Sequence, residues 1–264
     1  MRKYLTIIKA SWQRSLTYRF SVITYRIGEV GEMLGLILMW TAVYGGQTVI
    51  SGLTLPQMVT YILVGNFFNA IIRNFLPGII ARDIKEGRLS MFLVKPMGYF
   101  GYTLAQEIGR ISLATMLSVV TASIVILFFR NVFFWNTDPA YLFVISATVI
   151  LAFITELLLA YLIGLIAFWT DEVDGIYMSI DRIKKFFSGG YFPLNLLPVP
   201  FVQLSFALPF AYSFFVPAQL YLRKIDLSTG LRGICVQLIW IIVLYGIIAV
   251  VWKRGLKRYE GVGM

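Results

Sequence analysis

The stretch AYLFVISATVILAFITELLLAYLIGLIAF, residues 140–168, decides the fold of this chain. Every residue in it is apolar or small except a few hydroxyl-bearing side chains and Glu156, its single ionisable residue. A run of about 20 apolar residues is long enough to cross the hydrocarbon core of a bilayer as a helix. The stretch therefore predicts a transmembrane helix, and other runs along the chain have the same character.

The composition extends this prediction to the whole chain. Apolar residues make up 59% of the sequence, charged residues only 14%, and the mean hydropathy is +0.79. A soluble domain of this size could not bury so many apolar runs and still cover its surface with so few charges. We predict an all-α integral membrane protein with a single transmembrane domain over residues 1–264.

The histidine and cysteine content of the sequence excludes several classes of function. The chain has no histidine and a single cysteine, Cys235, so the common zinc sites, Cys/His nucleophile pairs, haem attachment and intrachain disulfides are not expected. The net charge of +10 could indicate nucleic-acid binding, but the 23 Lys and Arg residues lie mostly at the ends of apolar runs. Cytoplasmic loops carry such residues to set membrane orientation, and no nucleic-acid partner is predicted.

The apolar runs predict the order of the membrane spans. Clear runs cover residues 20–44, 56–80, a third segment ending at 129, 140–168 and 233–252. The basic N-terminus, the polar stretch 81–96 and the basic C-terminus must share the cytoplasmic side, which requires an even number of crossings. Six crossings fit the length of the chain better than four.

The first 19 residues predict a surface helix rather than a cleavable signal peptide, since basic residues interrupt any hydrophobic region. Leu5, Ile8, Trp12 and Leu16 fall on one arc of a helix, and basic and polar residues fall on the adjoining arc. This pattern is typical of a helix lying in the headgroup region. A simple basic flank of the first span is an equally open interpretation.

Residues 169–230 contain five of the nine prolines, Pro193, Pro198, Pro200, Pro209 and Pro217. No straight helix passes through such a segment, and broken backbone at membrane depth is tolerated only inside protein or beside water. We predict a fifth span near residues 175–190, followed by a re-entrant segment of short helices over 191–218. A long extracellular loop resting on the membrane is the alternative.

Three stretches carry a resemblance to a known family. They are DIKEGRLSMFLVKP at residues 83–96, FSGGYFPLNLLP at 187–198 and LPF at 208–210. In order and spacing they resemble the permease subunits of ABC transporters of the second exporter type, in the six-helix branch without soluble domains. The resemblance covers essentially the whole chain, although each motif alone is only moderately specific.

The resemblance implies an export pathway driven by another polypeptide. The sequence has no G-x-x-x-x-G-K-[ST] motif, so ATP and Mg²⁺ are expected on a partner ABC ATPase, in two copies, and no cofactor on this chain. A second permease subunit, identical or homologous, membrane lipids and a bacterial inner membrane location are implied in the same way. Family members dock the loop at 81–97 on the ATPase, which assigns the coupling role to Arg82, Asp83, Lys85, Glu86 and Arg88. A solvated run of charges is the alternative for these residues.

Ionisable residues also lie within the apolar runs, where they are costly and usually functional. By helical rise, Glu29, Glu32, Arg73, Glu107 and Arg110 have similar depths, which predicts an intramembrane ionic layer joining three spans. If the first span instead begins near Met33, the two N-terminal glutamates are interfacial.

Further residues are predicted to line a pathway or to shape the re-entrant segment. The pathway candidates are Asn66, Asn69, Glu156, Asp181, Lys184 and Lys185. The re-entrant candidates are Gly189, Gly190, Pro193 and Pro198. If residues 181–185 line a cavity, their net positive face favours an anionic substrate; if they belong to a cytoplasmic elbow, they carry no information on substrate.

Two other classes of function stay open at this point. A membrane-embedded lipid-modifying enzyme would use carboxylates such as Glu107, Glu156 or Asp181 as acid or base, but the sequence shows no catalytic motif. A secondary transporter driven by an ion gradient would use the same carboxylates as proton sites, but no internal repeat is evident. The transported substrate is not indicated by the sequence.

Overall fold

The computed structural model describes residues 2–17, 19–94 and 98–259. Met1 and Tyr18 of the predicted 1–19 helix, and Lys95, Pro96 and Met97 of the predicted coupling loop, therefore lie outside the described residues. The described parts of the chain are all-α apart from a two-residue hairpin, as predicted.

The secondary structure follows one chain order. The helices are α1 (Arg2–Thr17), α2 (Arg19–Tyr44), α3 (Leu55–Ile72), α4 (Leu76–Lys85), α5 (Leu89–Leu93), α6 (Tyr99–Phe128), α7 (Pro139–Leu165), α8 (Val173–Ser188), α9 (Val199–Ala207), α10 (Phe215–Tyr221) and α11 (Leu227–Arg258). Strands β1 (Val49–Ile50) and β2 (Leu53–Thr54) pair antiparallel between α2 and α3. Short 3₁₀ turns follow α7 and flank α9.

Five helical segments of the described chain are long and apolar enough to cross a membrane. They are Val22–Tyr44, Leu55–Lys85, Tyr99–Phe128, Pro139–Phe168 and Leu227–Arg258. Helix α8, the predicted fifth span, does not reach this standard because its 16 residues rise only about 24 Å and include four charged side chains over 181–185. The chain is thus a multi-pass membrane protein, and the sixth crossing stays a prediction.

Contacts between chain segments define two opposite ends of the molecule. At one end, the Lys85 end, the Lys85 ammonium donates to the Asp171 carbonyl, and the Tyr99 and Trp252 rings stack with centroids 5.9 Å apart. At the other, the Arg223 end, the Arg223 guanidinium donates to Asn136 Oδ1 at 3.2 Å. The long helices run between these two ends.

Helices α7 and α11 run in the same direction along each other. Gly230 lies against Val144 near the Arg223 end, and Gly255 lies against Phe168 near the Lys85 end, where a Cβ on either glycine would collide with the facing side chain. Small residues permit such close packing in lipid, where no hydrophobic force drives helices together. Because both helices end at the Lys85 end, the chain must return to the Arg223 end between residues 169 and 226.

The predicted second span differs from a straight helix. Helix α3 ends at Ile72, residues 73–75 are not helical, and α4 then continues the path to Lys85. In a continuous helix the Pro77 ring would clash with the Arg73 carbonyl four residues earlier, so the helix restarts with Pro77 in its first turn. The predicted polar loop accordingly begins as helix and not as coil.

Helix α1 packs along the first half of α6. The Trp12 indole N–H donates to Ser112 Oγ at 2.6 Å, and the Ser11 hydroxyl donates to the Gln106 carbonyl at 2.8 Å. Gly109 allows this approach, because a Cβ there would lie 2.7 Å from the Ile8 carbonyl oxygen. Leu5 and Leu16, assigned to the apolar arc of α1, remain exposed.

Candidate functional site

The predicted coupling residues form a tight helical turn at the Lys85 end. Helix α4 ends at Lys85, and Gly87 adopts a positive φ of 73° that reverses the chain into α5. Arg82, Lys85 and Glu86 are exposed on this turn. An exposed group of both charge signs is suited to a polar protein contact.

Asp83 and Arg88 brace the turn from inside. Asp83 is only 8% exposed; its carboxylate accepts a hydrogen bond of 2.9 Å from the Tyr99 hydroxyl and lies 3.4 Å from Arg88 Nε. Arg88 also pairs with Glu86 at 2.7 Å. These two predicted coupling residues therefore hold the shape of the turn and connect it to α6.

Two further contacts connect the turn to the rest of the Lys85 end. Lys85 donates to the backbone carbonyl of Asp171, in the segment that joins α7 to α8. The Ser90 backbone N–H donates to the Tyr259 hydroxyl at 3.2 Å, just beyond α11. A displacement of the turn would therefore reach α6, α8 and α11 directly.

The residues of the predicted ionic layer form separate pairs. Glu29 pairs with Arg26 at 2.5 Å, and Glu107, which is 1% exposed, accepts from Arg110 Nε at 2.9 Å. Both pairs lie within one helix.

The other two members of the predicted layer contact different helices. Glu32 of α2 pairs with Lys185 of α8. Arg73 pairs with no carboxylate among the described residues, although Arg110 donates to its backbone carbonyl at 2.7 Å. The structure thus brings these charges to neighbouring positions, but not into one continuous network.

Aromatic rings surround the Arg73 guanidinium. Its central carbon lies 5.1 Å from the centroid of the Tyr25 ring and 5.7 Å from that of Phe75. The Arg110 guanidinium lies 5.1 Å from the same Phe75 ring. Ring faces stabilise a cation by cation–π attraction, but they accept none of its in-plane N–H groups.

A buried ion pair joins α7 to α8. Lys184 Nζ lies 2.5 Å from the Glu156 carboxylate and 3.9 Å from that of Asp181. Glu156 is 7% exposed, so its charge depends on this partner. The three residues were predicted as pathway candidates; the structure places them in one cluster, whereas Lys185 points instead to Glu32 on α2.

The break between α3 and α4 lies beside this cluster. The Asn74 side-chain amide donates to the Glu156 carbonyl at 3.3 Å, and the Tyr177 hydroxyl donates to the Asn74 carbonyl at 3.0 Å. Sequence reasoning missed both residues. Asn74 could have been noticed as a polar residue shortly before Pro77, whereas nothing distinguishes Tyr177 among 15 tyrosines.

A cavity of about 410 Å³ lies between α2, α3, α6 and α7. Asn66 and Asn69, the other two pathway candidates, line it from α3, as do Arg73 from the helix end and Glu29 and Glu32 from α2. Most of the remaining lining is apolar. Its size falls in the range of small-molecule sites, roughly 300–1,000 Å³.

The predicted re-entrant residues terminate α8 and start the short helices. Gly189 ends α8 with a φ of 80°, and its carbonyl accepts a hydrogen bond of 2.7 Å from the Tyr61 hydroxyl. Gly190 donates its N–H to the Lys185 carbonyl at 3.1 Å. Pro193 precedes a 3₁₀ turn and Pro198 precedes α9, so each proline begins a new short element.

Several long apolar helices, an exposed charged turn at one end and a largely apolar cavity between the helices define a multi-pass membrane protein. The model of the family described as ABC-2 family transporter protein matches residues 30–263. The chain belongs to this family, which confirms the resemblance drawn from the sequence. A comparison with curated proteins finds no match. The chain is accordingly a permease component of an ABC transporter, and the family in general works with an ABC ATPase.

Proposed function

We propose that this chain is the permease of an ATP-driven exporter, in which two permease subunits work on two separate ABC ATPase subunits. The observation that carries the proposal is the charged turn at the Lys85 end. Its outer face presents Arg82, Lys85 and Glu86, and bonds from Asp83, Lys85 and Ser90 join the turn to Tyr99, Asp171 and Tyr259. Such a turn is suited to receive a force at the surface and pass it to several helices.

Six crossings complete the proposed topology. Helix α8 begins beside the Lys85 end, where Asp171 lies, and the chain reaches the Arg223 end by residue 223. We assign the sixth crossing to α8 together with residues 189–198, because α8 alone is about 24 Å long and the hydrocarbon core about 30 Å. Helices α9 and α10 then form the re-entrant pair.

The distribution of basic residues supports the proposed placement of both termini in the cytoplasm; the proposed membrane is the bacterial inner membrane. Helix α11 ends at the Lys85 end with Lys253, Arg254, Lys257 and Arg258. The basic helix α1 packs on α6 next to the same end. Cytoplasmic segments carry such an excess of Lys and Arg.

The ion pairs suggest how motion would spread from the turn. In this proposal ATP binding draws the two ATPases together and displaces the turn and the start of α8. Helix α8 is held to α7 by Lys184 and Glu156 and to α2 by Lys185 and Glu32. A shift of α8 therefore changes the spacing of α2 and α7, which flank the cavity.

A charge reversal at the turn tests the proposal. We expect the combined variant Arg82→Glu, Lys85→Glu, Glu86→Lys to lose permease-stimulated ATP hydrolysis by about tenfold or more, because reversed charges oppose a complementary surface. The measurement is ATPase activity of the co-purified complex in nanodiscs, with candidate ABC ATPases taken from neighbouring reading frames.

The matched control is Lys224→Glu, an exposed charge at the opposite end of the molecule. This variant should retain full stimulation. Equal activity of the turn variant and the control, or the absence of any ATPase that co-purifies with the unmodified chain, would refute the proposed coupling.

A further inference from the structure

The cavity between α2, α3, α6 and α7 has two chemically different ends. Along α3 its lining runs from Leu63 to Arg73, about 15 Å by helical rise. Toward the Arg223 end the lining is aromatic and aliphatic, with Phe133, Trp135 and Leu142. The opposite end is lined by charged side chains of both signs, Arg26, Glu29, Glu32 and Arg73. A ligand that fits both ends must itself be amphipathic.

The charges at the polar end leave one cation without a counter-ion. Arg26 has a counter-ion, because its terminal guanidinium nitrogens bond to Glu29 at 2.5 Å, to Ser118 Oγ at 2.8 Å and to the Ala114 carbonyl at 3.1 Å, although its Nε is buried without a partner. Glu32 is likewise engaged by Lys185. Among the described residues, these pairs leave no carboxylate for Arg73.

The surroundings of Arg73 make it a suitable anion ligand. Its Nε is buried without a hydrogen-bond partner, and the Tyr25 and Phe75 rings contact the guanidinium by their faces. No described residue accepts a hydrogen bond from the Arg73 guanidinium, whose N–H groups are of the kind that bind a carboxylate or phosphate in bidentate geometry. An unpaired charge at this depth is costly, so an anion there would be strongly favoured.

Part of the cavity lining is both apolar and exposed. The lining includes three exposed side chains: Val119 of α6, Leu142 of α7, and Trp135 in the segment between these helices, which is 64% exposed. In a membrane this apolar rim faces the lipid chains. A ligand partitioned into the bilayer could therefore enter between α6 and α7.

We infer that this cavity binds a single-chain or aromatic amphiphile with a compact anionic head, the head held by Arg73 and the body lying against Phe133, Trp135 and Leu142. The volume of about 410 Å³ suits a drug-sized molecule better than a two-chain phospholipid. As a statement about the transported substrate class, the inference rests on the proposed function; as a statement about binding, it concerns this chain alone.

The test measures binding to the purified full chain without any ATPase. In nanodiscs of phosphatidylcholine, the fluorescent probe dansyl-undecanoic acid is titrated beside its uncharged methyl ester. We expect Arg73→Gln to weaken binding of the acid by roughly tenfold and to leave the ester within about twofold, because only the acid has a charge-assisted hydrogen bond to lose. The control Arg182→Gln removes an exposed arginine outside the cavity and should leave both probes unchanged.

A second variant tests the apolar end and does not depend on the folding of the arginine variants. Ala122 lines the cavity on α6, whereas its neighbour Val120 is exposed outside it. Ala122→Phe should abolish binding of both probes, and Val120→Phe should keep both. Unchanged binding to Ala122→Phe would place the site elsewhere and overturn the inference.

Two other outcomes would also overturn it. Equal loss of acid and ester in Arg73→Gln would remove the case for an anionic head. The acid could also bind more weakly in nanodiscs that contain phosphatidylglycerol, with this weakening absent in Arg73→Gln. That result would identify a lipid headgroup, and not a single-chain ligand, as the occupant of the site. None of these results depends on coupling to an ATPase, so failure here is distinguishable from failure of the charge-reversal experiment.

Discussion

At the scale of single residues, two carboxylates on the long apolar helices are paired with lysines of α8. Glu156 lies in the most apolar helix of the chain and is neutralised by Lys184, 28 residues later on α8. Glu32 is paired with Lys185 of the same helix. Lys184 and Lys185, which interrupt the apolar surface of α8, are thus counter-ions for carboxylates on α7 and α2.

Removing one partner of the buried pair should destabilise the protein more than removing both. We expect Glu156→Gln and Lys184→Gln each to lower the free energy of unfolding by on the order of 3 kcal/mol, because each leaves an uncompensated buried charge. The double variant should recover part of this loss. Thermal unfolding in detergent measures it, with exposed Glu172→Gln as the control; additive losses in the double variant would contradict the pairing.

At the scale of the elements, interruptions of helices place polar groups at membrane depth. The break at residues 73–75 frees backbone carbonyls, and side chains from two other helices bond to them: Arg110 to the Arg73 carbonyl and Tyr177 to the Asn74 carbonyl. The end of α8 works in the same way, since Tyr61 of α3 bonds to the Gly189 carbonyl. Backbone groups that a helix break leaves unpaired within a bilayer require hydrogen bonds from the protein itself, and these side chains supply them.

Gly189 is the glycine on which the end of α8 depends. Its φ is 80°, and an added Cβ would lie 2.7 Å from the Tyr61 hydroxyl oxygen. We expect Gly189→Ala to lower the melting temperature, with a backbone cost of about 1–2 kcal/mol before the collision is counted. Tyr61→Phe in the same chain should relieve the collision but not the backbone strain.

Gly246→Ala is the control for that measurement, since Gly246 lies within α11 and a Cβ there meets nothing. In this helical position alanine should be neutral or stabilising. A Gly189→Ala protein as stable as the control would show that the α8 end tolerates another conformation.

At the scale of the whole molecule, one face of α2 has no partner within the described chain. Gly28, Gly31 and Gly35 recur at helical spacing on this face, are exposed, and have no neighbour within 4 Å of an added Cβ. At 100° per residue, this glycine face lies roughly opposite the face of α2 that lines the cavity. Small residues at this spacing permit close helix pairing, which supports this face as the contact between two permease subunits.

A bulky residue on this face should break the pair without disturbing the subunit. Gly31→Leu fits the open space around one chain, so, if the unmodified protein pairs through this face as proposed, we expect the variant to be a folded monomer. Light scattering during size exclusion in detergent measures the oligomeric state. Gly246→Leu places the same side chain in open space on α11 and should leave the dimer intact; a dimeric Gly31→Leu protein would exclude this contact.

The sequence predicted the long apolar helices well because membrane insertion depends on local composition. Four of the five clear runs agree with single helices within a few residues at most boundaries, whereas the second is divided at residues 73–75. The position of that break was missed because Pro77 alone does not show whether the helix kinks or restarts. The charged turn was located from its run of polar residues, and its coupling role, implied by the family resemblance, stays a prediction; the burial of Asp83 depends on Tyr99 of another helix.

By itself the sequence determined that the chain is an all-α membrane permease of the ABC-2 family, since hydropathy and motif spacing are properties of the linear chain. Only the tertiary structure decided which charges pair, which one is left alone, and where a cavity forms. Glu32 and Lys185 are 153 residues apart, and Arg73 has no carboxylate partner among the described residues, where nearby Glu29 and Glu32 pair with other cations. These outcomes depend on how the helices pack, which no local pattern encodes.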